Sequence, residues 1–257
     1  GEIFVDQLNK SGGLLGRKVE WVLLDDQSKP DVTRTLYERL ITSDKVDLLL
    51  GPYATGGILS AMGVAQRYNK ILVHHTFGIP SLAKYDMHFP AWPLGAVPEK
   101  TVTNRVMDML GNKVKTVAIV TSKFPSVHFL TVGARPVFKE RGIQEVLFLE
   151  FEFGAKDFGP IAARVKDANP DLLYMGAIGL EGNQLLEALE KLDWKPRNHF
   201  YTYPTPGPLA LSPMGQDALS FTAYEDLPPL NQAPGAAEFG KLFTEAAKAA
   251  NIPYPYV

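Results

Sequence analysis

Two spacings of apolar residues alternate along most of this chain. Short runs such as "VDLLL", "KILVHH", "KTVAIVTS", "EVLFLEFEF" and "PDLLYMG" are apolar almost throughout. Between them, "ILSAMGVAQRY", "TVTNRVMDML", "DFGPIAARVKDA" and "GNQLLEALEKL" space their apolar residues for one face of a helix. Runs without alternation predict strands buried on both faces, and interleaved helices predict a mainly parallel sheet with helices on each side. The first segment, "EIFVDQLNKSGG", predicts a helix closed by Gly12 and Gly13. "KVEWVLLDD" then predicts a buried strand. After Pro30, Asp31 is expected as the N-cap of a helix that lines up Val32, Leu36, Tyr37, Leu40 and Ile41. The interval from Thr76 to Pro98 reads as loop. Beyond it, "VHFLTVGARPVFKERG" predicts a helix ending at Gly142 and bent at Pro136. "HFYTY" and "ALSFTAY" predict two further strands, and "AAEFGKLFTEAAKAAN" a C-terminal helix. A fresh start at "TVAIVTS" suggests a second sheet, so two α/β lobes are expected, with the break near "LGNKVK".

Composition narrows the function classes. The 257 residues are 46% hydrophobic and 21% charged, with a formal net charge of -2, as expected for a packed globular chain. Acidic and basic residues are mixed along the length, which disfavours a nucleic-acid surface or a polybasic membrane anchor. No apolar run approaches the roughly 18 residues needed to span a bilayer. Cysteine is absent, which removes disulfides, thiolate metal sites and a cysteine nucleophile.

The loop "GPYATGG", residues 51–57, follows one strand and leads into a helix expected to begin near Ile58. In an open parallel sheet such a loop lies where ligands bind, and the unsatisfied N–H groups of the helix start favour a carboxylate or phosphate. Thr55 adds a hydroxyl, and Gly56 and Gly57 permit close approach. An ordinary capped turn gives the same pattern, and no Lys-Ser/Thr pair follows to make a P-loop. The next loop, "HHTFGIPSL", is expected on the same edge of the sheet, with Thr76, Phe77 and Gly78 at its tip. His74 and His75 are neighbours on a strand and point to opposite faces, so structural roles are expected rather than chelation. "SLAK", Ser81 to Lys84, fits the Ser-x-x-Lys pattern of penicillin-binding enzymes, but no Lys-Thr-Gly or Ser-Asp-Asn follows. No nucleophile elbow or dinucleotide fingerprint is present. No catalytic residue, metal or cofactor is expected.

In order along the chain, "FVDQLNKSGGLLGRKVEWVLLDDQSKPDVT", "VDLLLGPYATGGILSA", "ILVHHTFGIPSL" and "FEFGAKDFGPIAARVKDANPDLLYMG" resemble the substrate-binding proteins of ABC importers, in the branch of the leucine/isoleucine/valine-binding protein. The resemblance runs over nearly the whole chain. It implies the type 1 periplasmic binding fold, α/β with two Rossmann-like lobes of mainly parallel sheets, helices on both faces and a joining hinge. The lobes would cover 1–113 and 114–224, with 225–257 returning toward the first. Against that family a first strand before Gly1 and a further helix-rich segment after Val257 are expected. By the same resemblance, Tyr53, Ala54, Thr55, Gly56, Thr76, Phe77 and Gly78 would hold a ligand carboxylate. Phe124, Ser126, Gly179, Tyr203 and Pro204 would face it from the second lobe. Pro204 falls near the position where amino-acid binders carry an acid for the ammonium group. An unpaired buried ammonium is costly, so an aromatic or other organic acid is expected, with Tyr53, Phe77, Phe124, Tyr201 and Tyr203 suited to a flat apolar body. Glu181 or Asp226 could replace the missing acid, which keeps branched-chain amino acids open. The implied partner is a membrane permease, and the implied location is periplasmic or lipid-anchored outside the cell. The implied state is a monomer that binds no nucleic acid. A ligand-sensing regulatory or receptor domain on the same fold is the alternative.

Overall fold

A computed structural model of the chain describes residues 1–75, 77, 79–91, 95–204, 206–221 and 230–252. In chain order its first half holds α1 (Glu2–Lys10), α2 (Pro30–Thr42), β1 (Leu49–Leu50), α3 (Thr55–Arg67), β2 (Leu72–His74), β3 (His88–Pro90) and α4 (Pro98–Leu110). Then follow β4 (Thr116–Ser122), α5 (Pro125–Glu140), β5 (Gln144–Phe151), α6 (Gly159–Ala168), β6 (Leu172–Gly179) and α7 (Glu181–Glu190). The last elements are β7 (Asn198–Pro204), α8 (Pro206–Leu211), β8 (Leu219–Ser220) and α9 (Ala236–Ala249). Two compact units result, one of Gly1–Asp25 with the C-terminal residues, the other of Asp26–Phe221.

The larger unit contains two parallel sheets. The smaller sheet has the order β1-β2-β3. On one side of it, Ile58, Ala61, Met62 and Ala65 of α3 pack with Tyr37 of α2 and with Leu49 and Leu72. On β1 and β3, Leu50 and Phe89 stay 55% and 51% exposed. They flank Val73 in one row of the pairing.

The larger sheet has the order β5-β4-β6-β7-β8. Its central strands β4 and β6 are buried along nearly their whole length because helices cover both faces there. Val117, Ile119, Leu172, Tyr174 and Phe200 pack with Val106 and Met107 of α4 and with Ala134 and Phe138 of α5. Val120, Leu173, Met175 and Tyr201 pack with Ala162 and Val165 of α6 and with Leu185, Leu186 and Leu189 of α7. The strand order reverses direction at β4, which sits between β5 and β6. This is the topological switch point, where the loops after β4 and β6 part to opposite faces and leave a crevice.

Three local expectations are corrected. Residues 18–26 form no strand. Instead Val19 exchanges two hydrogen bonds with the side chain of Asn9 at 2.7 and 2.9 Å, and Leu23 is 68% exposed. A strand exists only by pairing, and no ladder partner meets this run among the described residues. Asp31 is not the N-cap of α2: Lys29 holds that position, Pro30 opens the helix, and Asp31 falls in the first turn. Proline fits there because its fixed φ suits the start and its missing N–H is not needed. In the interval read as loop, His88–Pro90 pairs in parallel with β2. Pro136 lies inside α5 without ending it.

Candidate functional site

The helix α3 begins at Thr55, three residues before its expected start, with Ala54 as N-cap. The loop before it is pinned from both sides. Tyr37 donates its hydroxyl to the Leu50 carbonyl at 3.0 Å, and the Gly51 N–H donates to the Val73 carbonyl at 2.8 Å. Gly51 has φ of +86°, a conformation that favours glycine. The glycines of "GPYATGG" answer to packing. A Cβ on Gly57 would stand 3.0 Å from the Pro52 ring, and one on Gly56 3.2 Å from the Pro30 ring.

A cleft of about 280 Å³, counted with the space open to solvent, is lined by Tyr53, Ala54, Thr55, Phe124, Ser126, Ile178 and Tyr203. The lining comes from the end of the loop after β1 and from the strand ends at the switch point of the larger sheet. Two helix starts meet there: Ala54 and Thr55 open α3, while Phe124 and Ser126 open α5. Each start directs unsatisfied N–H groups and the positive end of its dipole outward. Among the described lining residues there is no Asp, Glu, Lys or Arg. Aromatic surface makes up much of the wall, with the Phe124 ring 5.0 Å from that of Phe153. The Tyr203 hydroxyl is buried with no hydrogen-bond partner among the described residues. Burial raises the phenol pKa of both Tyr53 and Tyr203, so both stay neutral donors at neutral pH.

Six of the residues expected from sequence are thus brought together: Tyr53, Ala54, Thr55, Phe124, Ser126 and Tyr203. Gly56 stands behind them in the first turn of α3. Gly179, at φ of +61°, pairs with Pro204 where β6 and β7 end. Thr76 and Gly78 lie outside the described residues, as does Asp226. Phe77 turns inward instead, buried against the edges of the His74 and His88 rings at 6.0 and 6.1 Å. Tyr201 is also core, its hydroxyl 3.0 Å from His199 Nδ1. Ile178 joins the wall unforeseen, because its place in an apolar strand reads as core.

His74 and His75 diverge as expected. His74 stacks on His88 with ring centroids 5.2 Å apart, while His75 lies 5.0 Å from the Tyr53 ring. Among the described residues no cluster of three or more His, Asp or Glu is placed to hold a metal. Pro80–Leu82 makes a single 3-10 turn that ends short of Lys84, so no helix joins Ser81 to that lysine. Glu181 lies at the start of α7 and is buried. Its carboxylate accepts from Ser122 Oγ, Gly154 N and Ile178 N at 3.3, 3.3 and 3.0 Å. Burial pushes its pKa above the ordinary 4.5, against the pull of these donors.

A family model described as periplasmic binding protein matches residues 2–256. The Leu/Ile/Val-binding protein BraC3 of Rhizobium johnstonii is 27% identical over 188 residues, 73% of this chain and 51% of that protein. The chain thus spans about half the length of the curated relatives it matches. A solute-binding protein of an ABC transporter from Rhodopseudomonas palustris, solved with 3,4-dihydroxybenzoic acid, superposes with a TM-score of 0.77 at 19% identity. That match covers 95% of this chain and 67% of the other. The leucine-binding protein LivK of Thermotoga maritima superposes with a TM-score of 0.76 at 19% identity, covering 96% and 71%. These likenesses show a shared type 1 periplasmic binding fold.

Proposed function

Because the chain belongs to the periplasmic binding protein family, we propose that it is the extracytoplasmic solute-binding component of an ABC importer. In this reading it captures a small carboxylate on an apolar or aromatic body and delivers it unchanged to a membrane permease. The working form is a monomer in the periplasm or lipid-anchored outside the cell. Its lobes are 1–113 and 114–224, with 225–257 returning to the first, and the cleft is walled by both.

One observation carries the proposal: the starts of α3 and α5 face the same cleft, and no charged side chain stands among the described lining residues. Backbone N–H groups and two dipoles favour a carboxylate, and the Thr55 and Ser126 hydroxyls add donors. Tyr53, Phe124 and Tyr203 supply flat apolar surface for the ligand body. Glu181 is already engaged by three donors, which argues against its serving an α-ammonium.

A thermal-shift screen of the protein tests this with benzoate, 4-methylpentanoate and their amino-bearing counterparts phenylglycine and leucine. The expected result is a rise in Tm with the two acids and less with the zwitterions. Stabilisation by leucine alone, with no response to either acid, would overturn the ligand class.

A further inference from the structure

We propose that Glu181 is a positioning residue for the second wall of the cleft, one carboxylate that fixes the ends of three chain segments at the distances a ligand meets. The proposal rests on the reading of the cleft as a ligand site. The three donors to Glu181 are far apart in sequence. Ser122 ends β4, Gly154 follows β5, and Ile178 lies near the end of β6. Each leads to the wall. Ile178 is itself a lining residue. The Ser122 Oγ that donates to Glu181 also accepts from the Phe124 N–H at 3.4 Å, so the N-cap of α5 hangs from the same carboxylate. Gly154 follows Phe153, whose ring rests on Phe124. Glu181 therefore holds Phe124 by two routes and Ile178 by one.

No salt bridge to a cation accompanies this buried carboxylate among the described residues. Its charge is balanced by the two N–H groups, the Ser122 hydroxyl and the start of α7. For stability alone, an apolar residue of similar volume would serve as well or better than a buried charge. What the carboxylate adds is geometry, since its two acceptor atoms join the ends of β4 and β6 to the turn that follows β5. Displacement of a positioning contact by about 1 Å is enough to cost a large factor in ligand engagement.

The experiment compares wild type with Glu181→Gln and Ser122→Ala. Glutamine keeps one acceptor atom and turns an NH₂ toward donors at the other. Ser122→Ala leaves the carboxylate and cuts only the link to Phe124, so it serves if the first variant fails to fold. Hydrogen exchange of the Phe124, Gly154 and Ile178 amides is read without ligand. Titration with benzoate and with leucine is read beside thermal midpoints. In Glu181→Gln the amide of Gly154 or of Ile178, whichever faces the NH₂, should exchange faster, and affinity should fall roughly tenfold or more. In Ser122→Ala the Phe124 amide alone should exchange faster, with a smaller loss of affinity. Unchanged exchange in both variants would overturn the proposal. So would faster exchange with affinity within twofold of wild type, since Glu181 would then be structural only. If wild type binds neither probe, the carboxylate reading of the cleft fails, and faster exchange confined to these amides would still support the positioning role.

Discussion

Placing a negative charge at Ser126 separates the function of the cleft from the stability of its wall. Ser126 is in the first turn of α5 and lines the cleft at 8% exposure. Ser126→Asp adds a carboxylate there, and Ser126→Asn adds nearly the same shape without the charge. For the helix alone, the aspartate is favourable by about 0.3–1 kcal/mol, because it faces the positive end of the dipole. Desolvation opposes that gain, so the two variants should differ in stability by no more than about 1 kcal/mol. For a bound carboxylate the sign reverses. Two like charges about 4 to 8 Å apart repel by about 4 to 2 kcal/mol at an effective dielectric of about 20. Benzoate should therefore bind Ser126→Asp roughly 30- to 700-fold more weakly than Ser126→Asn. Benzamide, the neutral isostere, should bind the two variants alike. Calorimetry at pH 7.5 reads both ligands, with thermal midpoints as the control. Benzoate affinities within threefold of each other, in two folded variants, would refute the reasoning: the anion would then not sit at the start of α5.

Three further outcomes follow from buried polar groups. Thr103 Oγ1 donates to the Glu99 carbonyl at 2.9 Å and lies 3.0 Å from the Tyr174 hydroxyl, which must therefore be the donor of that pair. Thr103→Val strands a buried phenol and should cost about 1–3 kcal/mol, Tyr174→Phe about 1, and the double variant less than their sum; additive losses in urea unfolding would dismiss the pairing. His199 donates Nε2–H to the Gln216 carbonyl and accepts at Nδ1 from Tyr201, and burial lowers its pKa below 6.5. Its contribution is present above pH 6.5 and lost as pH falls through the folded-state pKa. The thermal midpoint should thus drop in that acid range, and less steeply in His199→Gln; equal slopes would remove His199 from the acid response. A Cβ on Gly176 would lie 2.6 Å from both Thr121 Oγ1 and Thr131 Cγ2, so Gly176→Ala should destabilise by about 1–3 kcal/mol. Adding Thr131→Ser should recover part of that loss, and no recovery in denaturant midpoints would point to strain elsewhere.

Legibility in the sequence followed the range of the interactions. The larger sheet could be read because its central strands β4 and β6 are buried on both faces, and their apolar runs say so residue by residue. Residues 18–26 carry the same signal but meet no partner strand among the described residues, and pairing is decided by chain far away in sequence. The strand His88–Pro90 shows the converse, since "HFP" has no apolar run and is extended by its ladder to β2. The start of α3 was legible as a place because a loop that ends a strand and opens a helix is a local event, whereas Phe124 and Ser126 at the start of α5 came only with the family resemblance. The direction of Phe77 was not, because it depends on the stacked rings of His74 and His88, which the fold brings together. In the sequence Glu181 reads as a spare acid, a candidate partner for a ligand ammonium. Ser122 and Gly154 turn it into a brace, and no spacing rule links residues so distant.

The same separation bears on how specificity is arranged in the proposed binding site. The acid end of the ligand would meet groups that the backbone supplies, at the starts of α3 and α5. The body of the ligand would meet Tyr53, Phe124, Ile178 and Tyr203, side chains that substitution can change one at a time. Backbone donors and dipoles are indifferent to the residue that carries them, so they favour an anion whatever lines the rest of the cleft. In that reading discrimination among carboxylates would come from the aromatic wall and from the buried Tyr203 hydroxyl, which has no hydrogen-bond partner among the described residues. A ligand that presents a polar group to that hydroxyl gains over one that leaves it unmet, since an unsatisfied buried donor costs about 1–3 kcal/mol. In this reading the charge would be recognised by backbone groups and the body by side chains, even where both belong to one helix start, as at Phe124.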